Sequence, residues 1–95
     1  MTAVSILAPG TTKAETSEIV IPAGSVAMVG VYCDTPESVP VGVLFEITQD
    51  TPGAPNIVGS LHRAVRATAL LGPGTFRVSR PTYKGAAFGV FADMG

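Results

Sequence analysis

Four groupings of residues in this sequence have types that could do chemistry, and each lacks something the chemistry needs. His62 is the only histidine, so nucleophilic catalysis would have to set it between a Ser or Cys and an acid. No Gly-x-Ser-x-Gly elbow marks such a nucleophile, and the simpler expectation is a strand-end histidine with a partly exposed ring. Cys33, the single cysteine, and His62 fall short of the three or four protein ligands of a zinc site. Glu46 and Asp50 are a carboxylate pair of the kind that hydrolyses glycosides, but alternation places them at a solvent-facing strand end, where solubility accounts for them. Gly72-Pro73-Gly74 is glycine-rich, yet a phosphate loop needs a following Lys and a helix. No catalytic residue, cofactor, metal or small-molecule substrate is expected, and the chain is not read as an enzyme.

The elements that would position any site must come from one core, because 95 residues is the size of a single ordinary domain. Residues 1–95 are taken as that domain, with 1–16 a candidate extended N-terminal arm. Apolar residues make up 46% of the chain but charged ones only 14%, against ~25% in soluble domains, so an unusually neutral surface is expected, suited to contact with other protein. Six bases and seven acids leave a net charge of −1, which argues against a dedicated polyanion binder. Ser5, Pro9 and Gly10 interrupt the only apolar run near Met1, so the chain reads as made and used without secretion. No run approaches the ~18 apolar residues of a membrane span. One cysteine permits no internal disulfide, and Cys33 lies in an alternating run where a small buried side chain fits.

Eleven Gly and eight Pro cut the chain into short blocks, most with the period-two alternation of strands. Val4 to Leu7 reads as a first strand, Thr11 to Ser17 as a polar loop without an apolar anchor, and Glu18 to Ile21 as a second strand with Ile19 and Ile21 on one face. Pro22-Ala23-Gly24 reads as a turn with Pro at its first central position. In Val26 to Cys33, Val29 and Val31 share one face and Met28 and Tyr32 the other, which suggests cover on both sides, by the core and by a neighbouring chain. Asp34 to Pro40 should be an exposed connection. Val41 to Thr48 gives a strand with Val41, Val43, Phe45 and Ile47 inward, and Gln49 to Asn56 a loop leading into Ile57 to Leu61.

Residues 60–71 suit either a helix capped by Ser60 and stopped by Gly72-Pro73 or a short strand. Gly72-Pro73-Gly74 predicts a type II turn, Thr75 to Arg80 a strand with Phe76 and Val78 on one side and Thr75, Arg77 and Ser79 on the other, and Ala86 to Ala92 a last strand. The predicted fold is all-β: a two-sheet antiparallel β-sandwich of about seven or eight strands, jelly-roll or immunoglobulin-like.

Charge divides along the chain. Through Asn56, Lys13 stands against six acids, and from Ile57 onward Arg63, Arg66, Arg77, Arg80 and Lys84 stand against Asp93. The charges either pair across adjacent strands of one sheet, for ~0 to 1 kcal/mol per exposed pair, or separate onto faces that orient docking. With no aromatic stacking platform beyond Tyr83, nucleic-acid binding is not expected.

The run Leu71-Gly72-Pro73-Gly74-Thr75-Phe76-Arg77-Val78-Ser79-Arg80-Pro81, with Gly89-Val90-Phe91 and the earlier Ile21-Pro22-Ala23-Gly24, resembles small β-sandwich proteins encoded among the virion genes of tailed bacteriophages. The likeness covers the last third of the chain and follows the middle in outline. It implies a virion structural role, a capsid decoration or cement protein on the capsid exterior, made in the host cytoplasm. The implied partners are the major capsid protein and neighbouring copies of the chain, and no catalytic residues carry over. Candidate partner-binding residues are Arg66, Arg77, Arg80, Tyr83 and Lys84. The alternative is a head-fibre or tail-associated module that binds host-surface glycans in a groove lined by Tyr32, Tyr83 or Phe91, although the sequence has no Trp.

Overall fold

A computed structural model describes residues 3–94. The described residues form nine strands and no helix: β1 Ala3–Gly10, β2 Ala14–Glu15, β3 Ile19–Ile21, β4 Val26–Tyr32, β5 Phe45–Gln49, β6 Asn56–Leu61, β7 Ala67–Leu71, β8 Gly74–Arg80 and β9 Phe88–Met94. They make two antiparallel sheets. Sheet I runs β1-β9-β4-β7, and sheet II runs β8-β5-β6 with β2 and β3 both pairing the outer side of β8. Counting β2 and β3 as one interrupted strand, the pairs β1·β9, β3·β8, β4·β7 and β5·β6 are those of a single long hairpin wound into a sandwich. That winding is the double Greek key of a jelly roll. It differs from the immunoglobulin order, which was the other sequence-based expectation.

Alternation builds the core. Val29, Val31 and Val90 of sheet I meet Phe45, Ile47 and Val78 of sheet II, all nearly or fully out of solvent. Ile19 and Ile21 are both buried, as their spacing predicts. Residues 60–71 are strand at both ends: β6 stops at Leu61, His62 and Val65 exchange backbone hydrogen bonds at 2.9 and 3.1 Å, and β7 begins at Ala67. The helix alternative is thereby corrected, since burying both Leu61 and Leu70 uses sheet pairing that a helix would forgo.

Several local expectations are also corrected. Residues 3–16 are no free arm: β1 pairs with β9 and β2 with β8, and Thr16, just after β2, accepts the Val78 N–H at 3.1 Å with its buried hydroxyl. The strand expected from Val41 starts only at Phe45, because Gly42 takes φ +82° in a turn closed by Val43 N–H to Pro40, and Val41 is left 77% exposed. The connection before it is not wholly exposed, since Val39 is buried in the core. Pro22 occupies the first corner of its turn, with Ala23 and Gly24 (φ +79°) central and Ser25 N–H returning to the Pro22 carbonyl at 3.1 Å.

Gly74 lacks the positive φ that the second central position requires, so the expected type II turn is absent there. This segment arches from sheet I to sheet II instead of joining neighbours in one sheet. A Cβ on Gly72 would lie 2.0 Å from the Pro22 carbonyl oxygen, and the Gly72 N–H donates to Ser25 at 3.0 Å. Gly72→Ala is therefore expected to destabilise the fold by about 3 kcal/mol or more, because the obstacle is backbone rather than a side chain that could move. Urea unfolding checks it; a loss under about 0.5 kcal/mol, the range of an ordinary surface change, would mean that the two turns do not touch.

Candidate functional site: the outer face of sheet I

Cross-strand partners share a face, so the register identifies what each sheet turns outward. On sheet I the outward set includes Val26, Met28 and Tyr32 from β4, Leu71 and Ala69 from β7, and Phe91 from β9. Leu71 is 69% exposed, Met28 42% and Val26 45%. Asp93 is the one charged residue on this face among the described residues; its Oδ1 is out of solvent and has no hydrogen-bond partner among them. Sheet II turns out Glu15, Glu46, Thr48, Arg77 and Ser79, with Val20 on β3 and Ile57 on β6 exposed among them. The face of sheet I is therefore mostly apolar with one charge, and that of sheet II mixes several charges with two exposed aliphatic residues.

Two rings lie across the apolar face. Phe91 covers Gly30, where a Cβ would fall 2.5 Å from its ring, and the Tyr32 ring lies 2.9 Å from the Cβ position of Gly89. Both glycines are opposite the aromatic residue that covers them, since Gly30 pairs with Phe91 and Tyr32 with Gly89. Tyr32 Oη is 2.6 Å from Ser5 Oγ, and Ala3, Ser5, Tyr32 and Phe91 line an open cleft of about 400 Å³. The second apolar face of β4, legible from Met28 and Tyr32 alone, is thus present; Val26, Ala69 and Leu71 extend it and carried no separate sequence signal.

The five candidate binding residues do not gather into one patch. Arg77 lies on the other sheet and pairs with Asp50 at 2.5 Å and Glu18 at 3.3 Å, which is the cross-strand pairing alternative. Arg66 donates to the Glu37 carbonyl at 2.8 Å and sits 5.2 Å from the centroid of the Phe88 ring, in the turn after β6. Lys84 is exposed in the loop before β9.

Arg80, expected at the surface, is only 5% exposed. Its guanidinium donates to the carbonyls of Ala8, Thr12 and Phe88 at 2.8, 2.8 and 2.9 Å, which ties β8 of sheet II to β1 and β9 of sheet I. Tyr83 is likewise half-buried: its hydroxyl contacts the carbonyls of Gly10 and Ala86 and accepts the Phe88 N–H, and its ring meets Phe45 edge-on at 6.2 Å. Burial pushes the Tyr83 phenol above its ordinary range near 10, against the lowering effects of the Phe88 N–H and the Arg80 charge. Both residues hold the sandwich together, and Arg80 lacks the exposure expected of a surface contact.

The chemistry-bearing residues are also placed. His62 is half-buried in the β6–β7 turn, with Nδ1 accepting the Ala64 N–H at 3.3 Å. Cys33 is half-buried at the edge of the core, with Sγ 3.7 Å from the Thr35 hydroxyl, and so is less enclosed than its alternating run suggests. Among the described residues no three metal-ligating side chains cluster. No family model, curated protein or solved structure matches the chain.

Proposed function

We propose that the protein is a non-enzymatic virion structural protein, a decoration or cement protein of a tailed bacteriophage that seats the outer face of sheet I on the major capsid protein lattice. The observation that carries this reading is the inequality of the two sandwich faces. A face with several charges suits water, whereas a face whose one charge is Asp93 and on which Leu71, Met28 and Val26 are exposed suits burial against protein. The jelly roll is an architecture of viral capsid and lectin domains, and this supports the reading by analogy of fold alone.

Magnitudes favour a lattice over a solitary partner. Covering three half-exposed aliphatic side chains and the rims of two rings yields on the order of 5 kcal/mol at ~25 cal/mol per Å². Association opposes this with about 4–15 kcal/mol of lost freedom. One copy on one site is marginal; copies that also touch one another on a repeating shell gain avidity.

The test uses particles of the phage that encodes the chain. The protein should appear among the structural components of purified particles, and particles lacking it should rupture at lower temperature or lower ionic strength. Absence from particles, or equal resistance to rupture, rejects the cement role.

The cleft between Tyr32, Phe91 and Ser5 favours a second reading, a host-glycan module, because it joins two aromatic rings to a hydroxyl pair. Tyr83 does not contribute to that cleft. Retention on a glycan array, without particle association, would select it.

A further inference from the structure

Each sheet of an open sandwich has two edges, and unpaired edges invite another strand. Three of the four edges here are interrupted. β1 carries two register shifts and Pro9; β6 has a shift at Val58, between the pairs Ile47↔Gly59 and Thr48↔Ile57; and the β2–β3 edge is broken by residues 16–18, with Glu15 and Glu18 exposed. β7 differs. Its five residues, Ala67-Thr68-Ala69-Leu70-Leu71, pair β4 in unbroken register and include no charge, proline or bulge.

The hydrogen-bond phase of that ladder is fixed at both ends. Val31 N–H donates to Arg66 at 2.9 Å and Gly72 N–H donates to Ser25 at 3.0 Å. Bonded and non-bonded pairs alternate in an antiparallel ladder, so Thr68 and Leu70 bond inward to Val29 and Ala27. The N–H and C=O groups of Ala67, Ala69 and Leu71 therefore point away from β4. Among the described residues no hydrogen bond from another element reaches them.

We propose that β7 pairs antiparallel with β7 of a second copy of this chain, on a two-fold axis through Ala69, joining two four-stranded sheets into one of eight. In that register Ala69 faces its own copy and Ala67 faces Leu71, so three pairs each exchange two backbone bonds. The large exposed Leu71 side chain falls opposite the small Ala67, which leaves room on the outward face. Charge is compatible too: Arg66, next to the strand, falls opposite Gly72 of the other copy, so the two arginines stand at opposite ends. Self-complementarity of spacing, size and charge selects a second copy over an unrelated strand. The pairing rests on edge geometry and is independent of any shell, although it would make the apolar outer face continuous across both copies.

Sedimentation of the full chain over a range of concentrations should show a mass that doubles, and Ala69→Lys, which sets two like charges opposite each other, should abolish the doubling while the circular dichroism spectrum stays β-rich. In a Cys33→Ser background, Ala69→Cys should form a disulfide-linked dimer under mild oxidation, since Cα atoms in a bonded pair lie ~5.5 Å apart; Val58→Cys on the β6 edge should not. A monomeric wild-type mass at every concentration overturns the proposal. So does a dimer that Ala69→Lys leaves intact, or one that cross-links through Val58→Cys and not Ala69→Cys.

Discussion

Arg80→Met is expected to lower the free energy of unfolding by about 3 kcal/mol, the size of a change that orphans buried acceptors. The substitution keeps most of the side-chain volume but leaves the carbonyls of Ala8, Thr12 and Phe88 without their shared donor. Each bond to a charged group is worth about 1.5–3 kcal/mol, yet the sum cannot be taken. No carboxylate pairs with Arg80 among the described residues, so part of that gain offsets the burial of the cation itself. Lys reaches fewer of the three acceptors because it lacks the planar fork, so Arg80→Lys should fall between wild type and Arg80→Met. Urea unfolding should show a lower midpoint at unchanged slope. Variants within about 0.5 kcal/mol of wild type, as an exposed arginine would give, would contradict the clamp.

Met28→Glu combined with Leu71→Glu should weaken association with particles at least about 100-fold, equivalent to roughly 2.7 kcal/mol. Both side chains are exposed on sheet I, so folding places no demand on their polarity. Docking would bury two unpaired charges in an apolar contact, and that penalty falls on the bound state alone. Val20→Glu, on the exposed outer side of sheet II, is the matched control and should bind as wild type does. Co-sedimentation with particles stripped of the native protein measures both. Equal binding by the double variant, with weakened binding by Val20→Glu, would transfer the contact to the other sheet.

The fold was largely legible because alternation is a local signal. Phe76-Val78 and Phe88-Val90-Ala92 point inward by period two, and Gly and Pro mark most of the joints. The choice between jelly roll and immunoglobulin order was not legible, because it depends on which distant strands pair, as β1 with β9 does. Val41 misled for a local reason: apolar alternation continued through a turn that Gly42 makes with positive φ.

The site was legible in part. Met28 and Tyr32 announced a second apolar face on β4, but Ala69 and Leu71 join it only through the β4–β7 register. The inward placement of Arg80 has a local signal, since Phe76, Val78 and Arg80 form one inward series on β8, but its positive charge points the other way. The clamp that compensates the charge comes from residues 8, 12 and 88, which no spacing along the chain connects.

The most direct measurement is a density map of the intact particle that contains this chain. The account requires Val26, Met28 and Leu71 to face the shell and Glu15 and Glu46 to face solvent. A chain seated through Glu15, Glu46 and Ser79, with sheet I turned to water, would contradict it.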